Sequence, residues 1–427
     1  MKDKNQVFVV SLAITIIMAI WAVAFNANFT VVSNAAYSFL TNNFGWLYLM
    51  AMTAFVIFSV AIAFSKWGKI KLGPDDSKPE YSTVSWFAML FGAGMGVGLV
   101  FWGISEPLAH FSNPIPGIEA GTEAAANFAI RSSYMHWGLH PWANYCIIGL
   151  GLAYFQFRKG KPGLISSIFE PLIGEKGING WVGKTIDVLA VFATVAGVVT
   201  SLGLGVMQIN AGLNYLFGIP TTLVIQIIII AVISVIYIWS AVDGISRGIK
   251  IISDANLYIA IGLITVTFLV GPKLEILNNL TNGLGQYLQN FFGDSLMINN
   301  YGDNTWVGAW RVFYWAWWIA WAPFVGSFIA RISKGRTIRE FIAGVVLAPA
   351  LGSILWFAIM GSLGLHLGMD GTLSVAQLAD IASKPETGLF IVMGQYPLGM
   401  ILCVVSLILL CTFFITSANS GTFVLAM

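Results

Sequence analysis

The sequence predicts an all-α integral membrane protein, on the basis of its composition and its long apolar runs. Of its 427 residues, 57% are hydrophobic and only 9% are charged, and the mean hydropathy is +0.81. A soluble domain carries about 25% charged residues, so this composition excludes the water-soluble classes of protein. The net charge of +2 is too small to predict nucleic-acid binding. The three cysteines lie in apolar stretches and are expected to be buried thiols, not disulfides or metal ligands.

Ten apolar runs come close to the roughly 20 residues that a membrane span needs. They cover residues 7–26, 46–65, 83–104, 134–157, 187–209, 221–241, 251–272, 306–330, 341–365 and 388–427. The last run is interrupted by "GQYPLG", which predicts a short outer segment before the span itself. Two more polar stretches, 161–174 and 274–292, predict helices that lie in the membrane interface.

The distribution of basic residues predicts the orientation of the chain in the membrane. Of the 21 lysines and arginines, 17 fall at the N-terminus and in alternate loops, whereas the opposite loops carry mostly acids, including Glu106. Cationic loops stay in the cytoplasm, so the N-terminus is predicted to be cytoplasmic. The spans themselves are nearly free of charge apart from Asp187, Asp254 and Arg311. A cation bound between them is therefore expected to meet no carboxylate.

Two of the predicted spans contain residues that interrupt a helix. "FGAGMGVG" in span three places glycines at 92, 94, 96 and 98, and each costs about 1 kcal/mol relative to alanine in a helix. In span eight, Pro323 and Gly326 follow a stretch with four tryptophans. Unwound backbone at these points would line a polar site at mid-membrane. The alternative for the glycines is close packing between helices.

Aromatic side chains are concentrated in spans four and eight. Trp137, Trp142 and Tyr145 fall within about 140° of one helical face, and Pro141 is expected to kink that helix. Tryptophan faces attract cations by about 0.5–2 kcal/mol each, and aromatic cages recognise quaternary ammonium groups. The alternative is that these rings only pack.

Histidines and hydroxyls supply the other candidate ligands. His136 and His140 have the spacing of a zinc pair, but no carboxylate or cysteine accompanies them, which favours ordinary hydrogen-bonded histidines. In span ten, Thr416 and Ser417 offer oxygen ligands to a small cation such as sodium. Hydroxyls in membrane helices also often bond back to the carbonyl four residues earlier.

Four motifs together resemble the betaine/carnitine/choline transporter family, over essentially the whole chain. They are "GAGMGVG", "HWGLHPWANY", "WAWWIAWAPFVGSFIARISKGRTIREF" and "FFITSANS". The resemblance implies a multi-pass plasma-membrane protein, a homotrimer, and twelve spans with LeuT-like inverted repeats in spans 3–7 and 8–12. Ten of those spans are visible, and the stop at Met427 inside the tenth suggests a fragment. The implied divisions are 1–82 (two N-terminal spans), 83–272 (first repeat), 273–305 (extracellular amphipathic helix and loop) and 306–427 (incomplete second repeat).

The resemblance also implies which residues form the sites. The substrate residues it implies are the aromatic box Trp137, Trp142, Tyr145 and Trp318, the pathway aromatics Trp317 and Trp321, and the unwound stretch with Gly94, Met95, Gly96 and Gly98. The sodium site it implies combines Gly92, Met95, Phe413, Thr416 and Ser417. A second sodium site would use Thr194 and Phe324, but Val198 stands where its other threonine is expected.

The implied activity is sodium-coupled import of glycine betaine or a similar zwitterionic osmolyte by alternating access, with no cofactor besides the coupling ion. Choline or carnitine transport, or proton coupling, are the alternatives within the family. Choline-type members tend to carry aspartate at the position of Gly98, so glycine favours a zwitterion. A membrane enzyme using His110, His136 and His140 would need a carboxylate partner at mid-depth, which the predicted spans do not offer. A channel is a further alternative, although broken helices around a closed box suit alternating access better.

Overall fold

The computed structural model is mostly helical over the residues it describes, which are 2–94, 96–242 and 245–425, with side chains described for 6–90, 96–238, 252 and 255–418. The helices of the first part are α1 (Lys2–Ala24), α2 (Asn26–Phe64), α3 (Thr83–Gly94), α4 (Val97–Ser112), α5 (Glu123–Trp137), α6 (Leu139–Ala153), α7 (Glu170–Asn179), α8 (Trp181–Phe217), α9 (Leu223–Val242) and α10 (Ile245–Val270). Those of the second part are α11 (Lys273–Gln289), α12 (Phe291–Ser295), α13 (Phe313–Arg331), α14 (Ile338–Met369), α15 (Val375–Ser383), α16 (Pro385–Met393) and α17 (Gly399–Leu425).

The long helices have the length and composition of membrane spans. Six helices among the described residues pass that test, or seven if the bent pair formed by α10 and α11 counts as one span. In the first helix, α1, only 6% of the most apolar 18-residue stretch is buried inside the protein. Its apolar side chains are therefore suited to contact lipid. Each of the ten predicted runs falls on a helix or on two consecutive helices. Several of them are too broken to pass the length test as single helices.

Three of the predicted spans are interrupted. In span three, α3 ends at Gly94 and α4 begins at Val97, with Gly96 extended at φ −125°, ψ −157°. Span ten has the predicted short outer segment, α16, followed by a turn in which Leu398 has a φ of +62°. The third interruption, at Gly138 between α5 and α6, lies in span four. The glycine break and the outer segment are therefore confirmed, and the break at Gly138 lies one turn before Pro141, where the sequence predicted a kink.

The two prolines differ. Pro141 has no N–H to donate to the Trp137 carbonyl, and its ring crowds that carbonyl. Span four accordingly breaks at Gly138, and α6 begins with Pro141 in its first turn, so the predicted kink is confirmed. Pro323 lies inside the continuous helix α13, so the predicted interruption of span eight is wrong at this point. Packing against a neighbouring helix lets a membrane helix tolerate proline, and α13 makes its most extensive contact with α6.

The contact between α6 and α13 sets the position of the aromatic residues. A β-carbon added at Gly326 of α13 would lie 3.0 Å from the backbone nitrogen of Gly149 on α6. Two glycines at the crossing let the helix backbones approach closely, as small residues do in membrane interfaces. Helix α14 packs on both α6 and α4, and α4 packs on α5. The largest fully buried aromatic side chains of spans four and eight are Tyr134, Tyr314 and Trp315.

The two predicted interfacial stretches are both helical. The stretch at 161–174 forms a short 3₁₀ turn, Ile165–Phe169, and then enters α7, which runs further than predicted. The stretch at 274–292 is α11, which turns by 112° from the end of α10 and is followed by α12. A bend of that size means that α11 does not continue the direction of α10, as expected for a helix that leaves the membrane.

Candidate functional site

The break between α3 and α4 brings glycine backbone against the tryptophans. A β-carbon added at Gly98 would lie 3.2 Å from Cη2 of Trp317 and 3.3 Å from Cη2 of Trp137. The unwound stretch is shorter than the predicted Gly94–Gly98, because α3 still includes Gly94 and α4 already includes Gly98. The helix begins again at Val97, where the side chains of the following apolar residues are buried. Met95 lies outside the described residues, and for Gly92 and Gly94 only the helical backbone is described.

The four residues of the predicted aromatic box, Trp137, Trp142, Tyr145 and Trp318, form one connected group. The ring centroids of Trp137 and Trp318 are 4.9 Å apart and nearly perpendicular at 76°. Tyr145 lies 6.3 Å from Trp318 and 5.6 Å from Trp142, in both cases edge to face. All four side chains are buried. The structure therefore brings these predicted site residues together, with tryptophan and tyrosine rings at different angles around one region.

The two remaining predicted aromatics differ from each other. Trp317 stacks on Trp318 with centroids 4.8 Å apart and an interplanar angle of 11°, so it adjoins the box. Trp321 instead lies against α8, where a β-carbon added at Gly197 would be 2.7 Å from its Cδ1 atom, and it meets Phe324 edge to face at 5.3 Å. Trp321 is thus part of the contact between α8 and α13. This position suits a pathway residue more than a wall of the box.

Backbone carbonyls hold the box in place. Trp318 Nε1 donates to the carbonyl of His136 at 2.9 Å. That carbonyl is in the last turn of α5, where the break at Gly138 leaves carbonyl groups without helical partners. Asn144 Nδ2 donates to the Trp318 carbonyl at 2.8 Å, which ties α6 back to α13. The break in span four therefore supplies the acceptor for a box tryptophan.

Glu106 is the main site residue that the sequence analysis missed. It lies in α4 and is fully buried, not in an outer loop as predicted. One carboxylate oxygen accepts hydrogen bonds from Trp137 Nε1 at 2.7 Å and from the Tyr314 hydroxyl. The other lies 2.7 Å from His136 Nδ1 and 3.3 Å from His110 Nε2. The prediction that a bound cation would meet no carboxylate among the spans is therefore wrong, because α4 continues to Ser112, past the apparent end of the apolar run.

His136 and His140 do not act as a pair. His136 bonds to Glu106 and accepts from Arg311 Nε at 3.3 Å, whereas His140 Nε2 lies 3.0 Å from the Ser295 hydroxyl. Each ring also stacks on an aromatic neighbour: His136 on Tyr314 at 4.6 Å and His140 on Trp315 at 4.9 Å. Both are hydrogen-bonded structural histidines, as the sequence analysis favoured.

The predicted cation-binding hydroxyls lie on α17 beside the α3–α4 break. A β-carbon added at Gly96 would be 3.4 Å from Ser417 Oγ. Thr416 Oγ1 contacts the carbonyls of Phe413 at 3.1 Å and Thr412 at 3.2 Å, the local bonding that the alternative interpretation expects. Asn256 of α10 was not predicted: its Nδ2 donates to Thr416 Oγ1 at 3.3 Å. Its buried Oδ1 has no hydrogen-bond partner among the described residues.

The candidate second cation site lies where α8 meets α13. Thr194 is buried on α8, and its hydroxyl donates to the carbonyl of Ala190 at 2.8 Å. Phe324 is buried on α13 against Trp321. The two helices pack extensively on each other, but the hydroxyl of Thr194 is already satisfied within its own helix. With valine at 198, this region offers one side-chain hydroxyl where the resemblance implies two.

Comparison with known proteins agrees with the resemblance. Residues 6–427 match the family described as "BCCT, betaine/carnitine/choline family transporter". "Glycine betaine transporter OpuD" of Bacillus subtilis is 48% identical over 100% of this chain and 83% of its own length. "Probable glycine betaine transporter" of Desulfitobacterium hafniense is also 48% identical, over 100% of this chain and 84% of its length. "Ectoine/hydroxyectoine transporter" of Virgibacillus pantothenticus is 43% identical over 99% and 83%.

These relatives are transporters and not enzymes, and the identity extends over the whole chain. The site residues described above all lie within the matched region. The chain therefore belongs to the betaine/carnitine/choline transporter family.

Proposed function

We propose that this protein imports glycine betaine, a quaternary-ammonium osmolyte, across the plasma membrane by sodium symport and alternating access. The observation that carries the proposal is the buried group formed by Trp137, Trp142, Tyr145 and Trp318 beside the glycine break. Relatives that match the entire chain are named as glycine betaine transporters.

The chemistry of the box favours a quaternary ammonium head over a primary amine. A trimethylammonium group is permanently charged and weakly hydrated, so aromatic faces can replace the water it loses, at about 0.5–2 kcal/mol per face. A primary ammonium would also need hydrogen-bond acceptors for its three donors. The hydrogen bonds of Trp137 and Trp318 point their N–H groups at Glu106 and the His136 carbonyl. The indole N–H groups are thus occupied, so these two tryptophans would contact a cation through their rings.

Gly98 favours a zwitterion over choline. A β-carbon at this position would lie 3.2 Å from Trp317 and 3.3 Å from Trp137, so a side chain would require these rings to shift by a few tenths of an ångström. An aspartate there, as in choline-type members of the family, would need a different arrangement of these tryptophans. Glycine betaine brings its own carboxylate and needs no acidic group at this position. Choline or carnitine remains the alternative substrate class, and ectoine transport by a relative adds a third.

We expect Gly98→Ala to weaken glycine betaine binding about fivefold, because crowding a packed site costs about 1 kcal/mol or more. The added methyl would lie 3.2–3.3 Å from two tryptophan rings. Gly203→Ala is the matched control, since nothing lies within 4 Å of a β-carbon at that helical glycine. The measurement is the dissociation constant of glycine betaine for both purified variants in lipid nanodiscs. An affinity for Gly98→Ala equal to the parent's would show that this glycine does not shape the site.

The proximity of Ser417 to Gly96 supports sodium as the coupling ion. Hydroxyl and carbonyl oxygens are the ligands that hard cations prefer. The ion would join α17, in the second repeat, to the break in the first. Proton coupling is the alternative.

The topology that goes with this proposal has a cytoplasmic N-terminus and LeuT-like inverted repeats. The basic loops support the orientation. The α3–α4 break supports a site at mid-membrane. The continuity of α13 across Pro323 makes the two proposed repeats less alike than the sequence suggested. A homotrimer is proposed on family resemblance alone.

Competition binding tests the substrate class. Labelled glycine betaine is bound to the purified protein and displaced by unlabelled glycine betaine, choline, carnitine, ectoine and proline. We expect glycine betaine to compete best and proline, which lacks a quaternary nitrogen, to fail. Stronger competition by choline or ectoine would assign the substrate to one of the alternative classes. A lack of betaine binding would contradict the proposed function as a whole.

A further inference from the structure

Four hydrogen-bond contacts converge on the carboxylate of Glu106. A carboxylate has about four acceptor positions, and the four partners are His110, His136, Trp137 and Tyr314. They come from three helices: α4 itself, α5 and α13. The indole N–H can only donate, so the oxygen facing Trp137 acts as an acceptor. A fully buried carboxylate is kept only where its partners compensate for lost water, and here every acceptor position has one.

A chain of hydrogen bonds directs donors at Glu106, as suits an ionised carboxylate. Arg311 Nε donates to His136 Nε2 at 3.3 Å, so that nitrogen is an acceptor and the proton of the neutral ring is on Nδ1. His136 Nδ1 then donates to Glu106 across 2.7 Å. Arg311 also donates to the carbonyl of Asp294, whose carboxylate pairs with Arg131 at 2.9 Å. The described charged residues around the site are thus two acids, Glu106 and Asp294, and two arginines, Arg131 and Arg311. Of these, Glu106 is the one that contacts Trp137.

A metal site is the competing interpretation of this cluster. Ligand atoms of Glu106, His110 and His136 lie within 4.8 Å of one another. A metal ion would need Nδ1 or Nε2 of His136, and both nitrogens already have partners. It would also place a dication beside Arg311. The contacts to Trp137 and Tyr314 instead tie the carboxylate directly to the aromatic rings.

We propose that Glu106 is a positioning residue and buried counter-charge for the aromatic box, fixing Trp137 and Tyr314 and making the box selective for a positively charged head. Tyr314 is 5.7 Å from both Trp137 and Trp318 between ring centroids, so the carboxylate reaches two walls of the box through its neighbours. A donor bonded to an anion is polarised by it, which increases the electron density of the indole ring. The same negative charge attracts a cation across a low-dielectric interior.

The inference rests on the proposed function, and the test separates the two. The ligands are glycine betaine and 3,3-dimethylbutyrate, which has the same shape but a neutral carbon in place of the nitrogen. Both are measured by competition against labelled glycine betaine in the parent, Glu106→Gln and a control, Glu275→Gln. Glu275 is a half-exposed glutamate that bonds to His366, away from the box.

We expect Glu106→Gln to weaken glycine betaine binding about tenfold or more and 3,3-dimethylbutyrate binding less than about threefold, so that discrimination between them falls. Glu275→Gln should leave both affinities unchanged. Equal losses for both ligands would show that Glu106 only supports packing, and unchanged affinities would show no role at all. Either result overturns the inference, whereas a parent that does not bind glycine betaine contradicts the proposed function instead.

A double-mutant cycle tests whether the carboxylate acts through the indole. Trp137→Phe keeps an aromatic face but removes the N–H that Glu106 accepts. We expect Glu106→Gln to cost at least threefold less affinity for glycine betaine in the Trp137→Phe background than in the parent, because residues that act as a unit are not additive. Additive effects would mean that Glu106 does not position Trp137, and would overturn that part of the inference.

Discussion

Trp318→Leu is expected to weaken binding of glycine betaine at least tenfold while the protein remains folded. Trp318 is the ring that joins the box, with contacts to Trp137, Trp317 and Tyr145. Loss of one desolvated cation–π face costs about 1–2 kcal/mol, and about 1.4 kcal/mol corresponds to tenfold in affinity. Leucine keeps an apolar side chain of moderate size at this position but offers no face to the cation. The measurement is the dissociation constant of the purified variant.

Two further variants separate ring chemistry from packing. Trp318→Phe keeps an aromatic face but removes the hydrogen bond to the His136 carbonyl. We therefore expect its affinity for glycine betaine to lie between those of the parent and the leucine variant. Trp46→Leu makes the same chemical change at a half-exposed tryptophan on α2 and should leave binding unchanged. A leucine variant of Trp318 that binds glycine betaine as tightly as the parent would show that the aromatic group is only packing.

The double variant Thr416→Ala, Ser417→Ala is expected to abolish the dependence of substrate affinity on sodium. Ser417 Oγ lies beside Gly96 at the α3–α4 break, and Thr416 Oγ1 donates a hydrogen bond to the carbonyl of Phe413. If sodium joins these elements, sodium raises the affinity for substrate and substrate raises the affinity for sodium by the same factor. Removing both hydroxyls leaves the aromatic box intact. Glycine betaine binding should then be weak and equal in sodium and in potassium.

Thr412→Ala is the matched control for that prediction. Thr412 is one turn earlier on α17, and its hydroxyl bonds only to carbonyls of its own helix, Ile408 and Leu409. Its loss should leave the sodium dependence as in the parent. A double variant that still responds to sodium as the parent does would contradict the assignment of this cation site, without affecting the assignment of the box.

The sequence predicted the helical class and the residues of the box, because both depend on local features. Apolar runs, alternating glycines and clustered aromatics are visible in one short window each. The family resemblance added which aromatics belong together, and the structure places Trp137, Trp142, Tyr145 and Trp318 in one group. Domain boundaries, orientation and the number of spans remain predictions.

Glu106 and Tyr314 were missed because their roles depend on distant residues. The partners of Glu106 lie as far as 208 residues away in the chain, and "SEP" at the end of an apolar run is typical of a loop. The two prolines show where local rules hold and where they fail. Pro141 interrupts span four one turn earlier, at Gly138, as its missing N–H predicts. Pro323 instead lies within a helix that packing against α6 holds together, which no local window shows.

Uptake of labelled glycine betaine into proteoliposomes that contain the purified protein tests sodium symport. An inward sodium gradient is imposed in one set and an inward proton gradient, without sodium, in another. We expect accumulation of glycine betaine above its external concentration only with the sodium gradient, and loss of that accumulation when the gradient is collapsed. Accumulation driven equally well by protons alone, or no uptake of glycine betaine under either gradient, would contradict sodium symport.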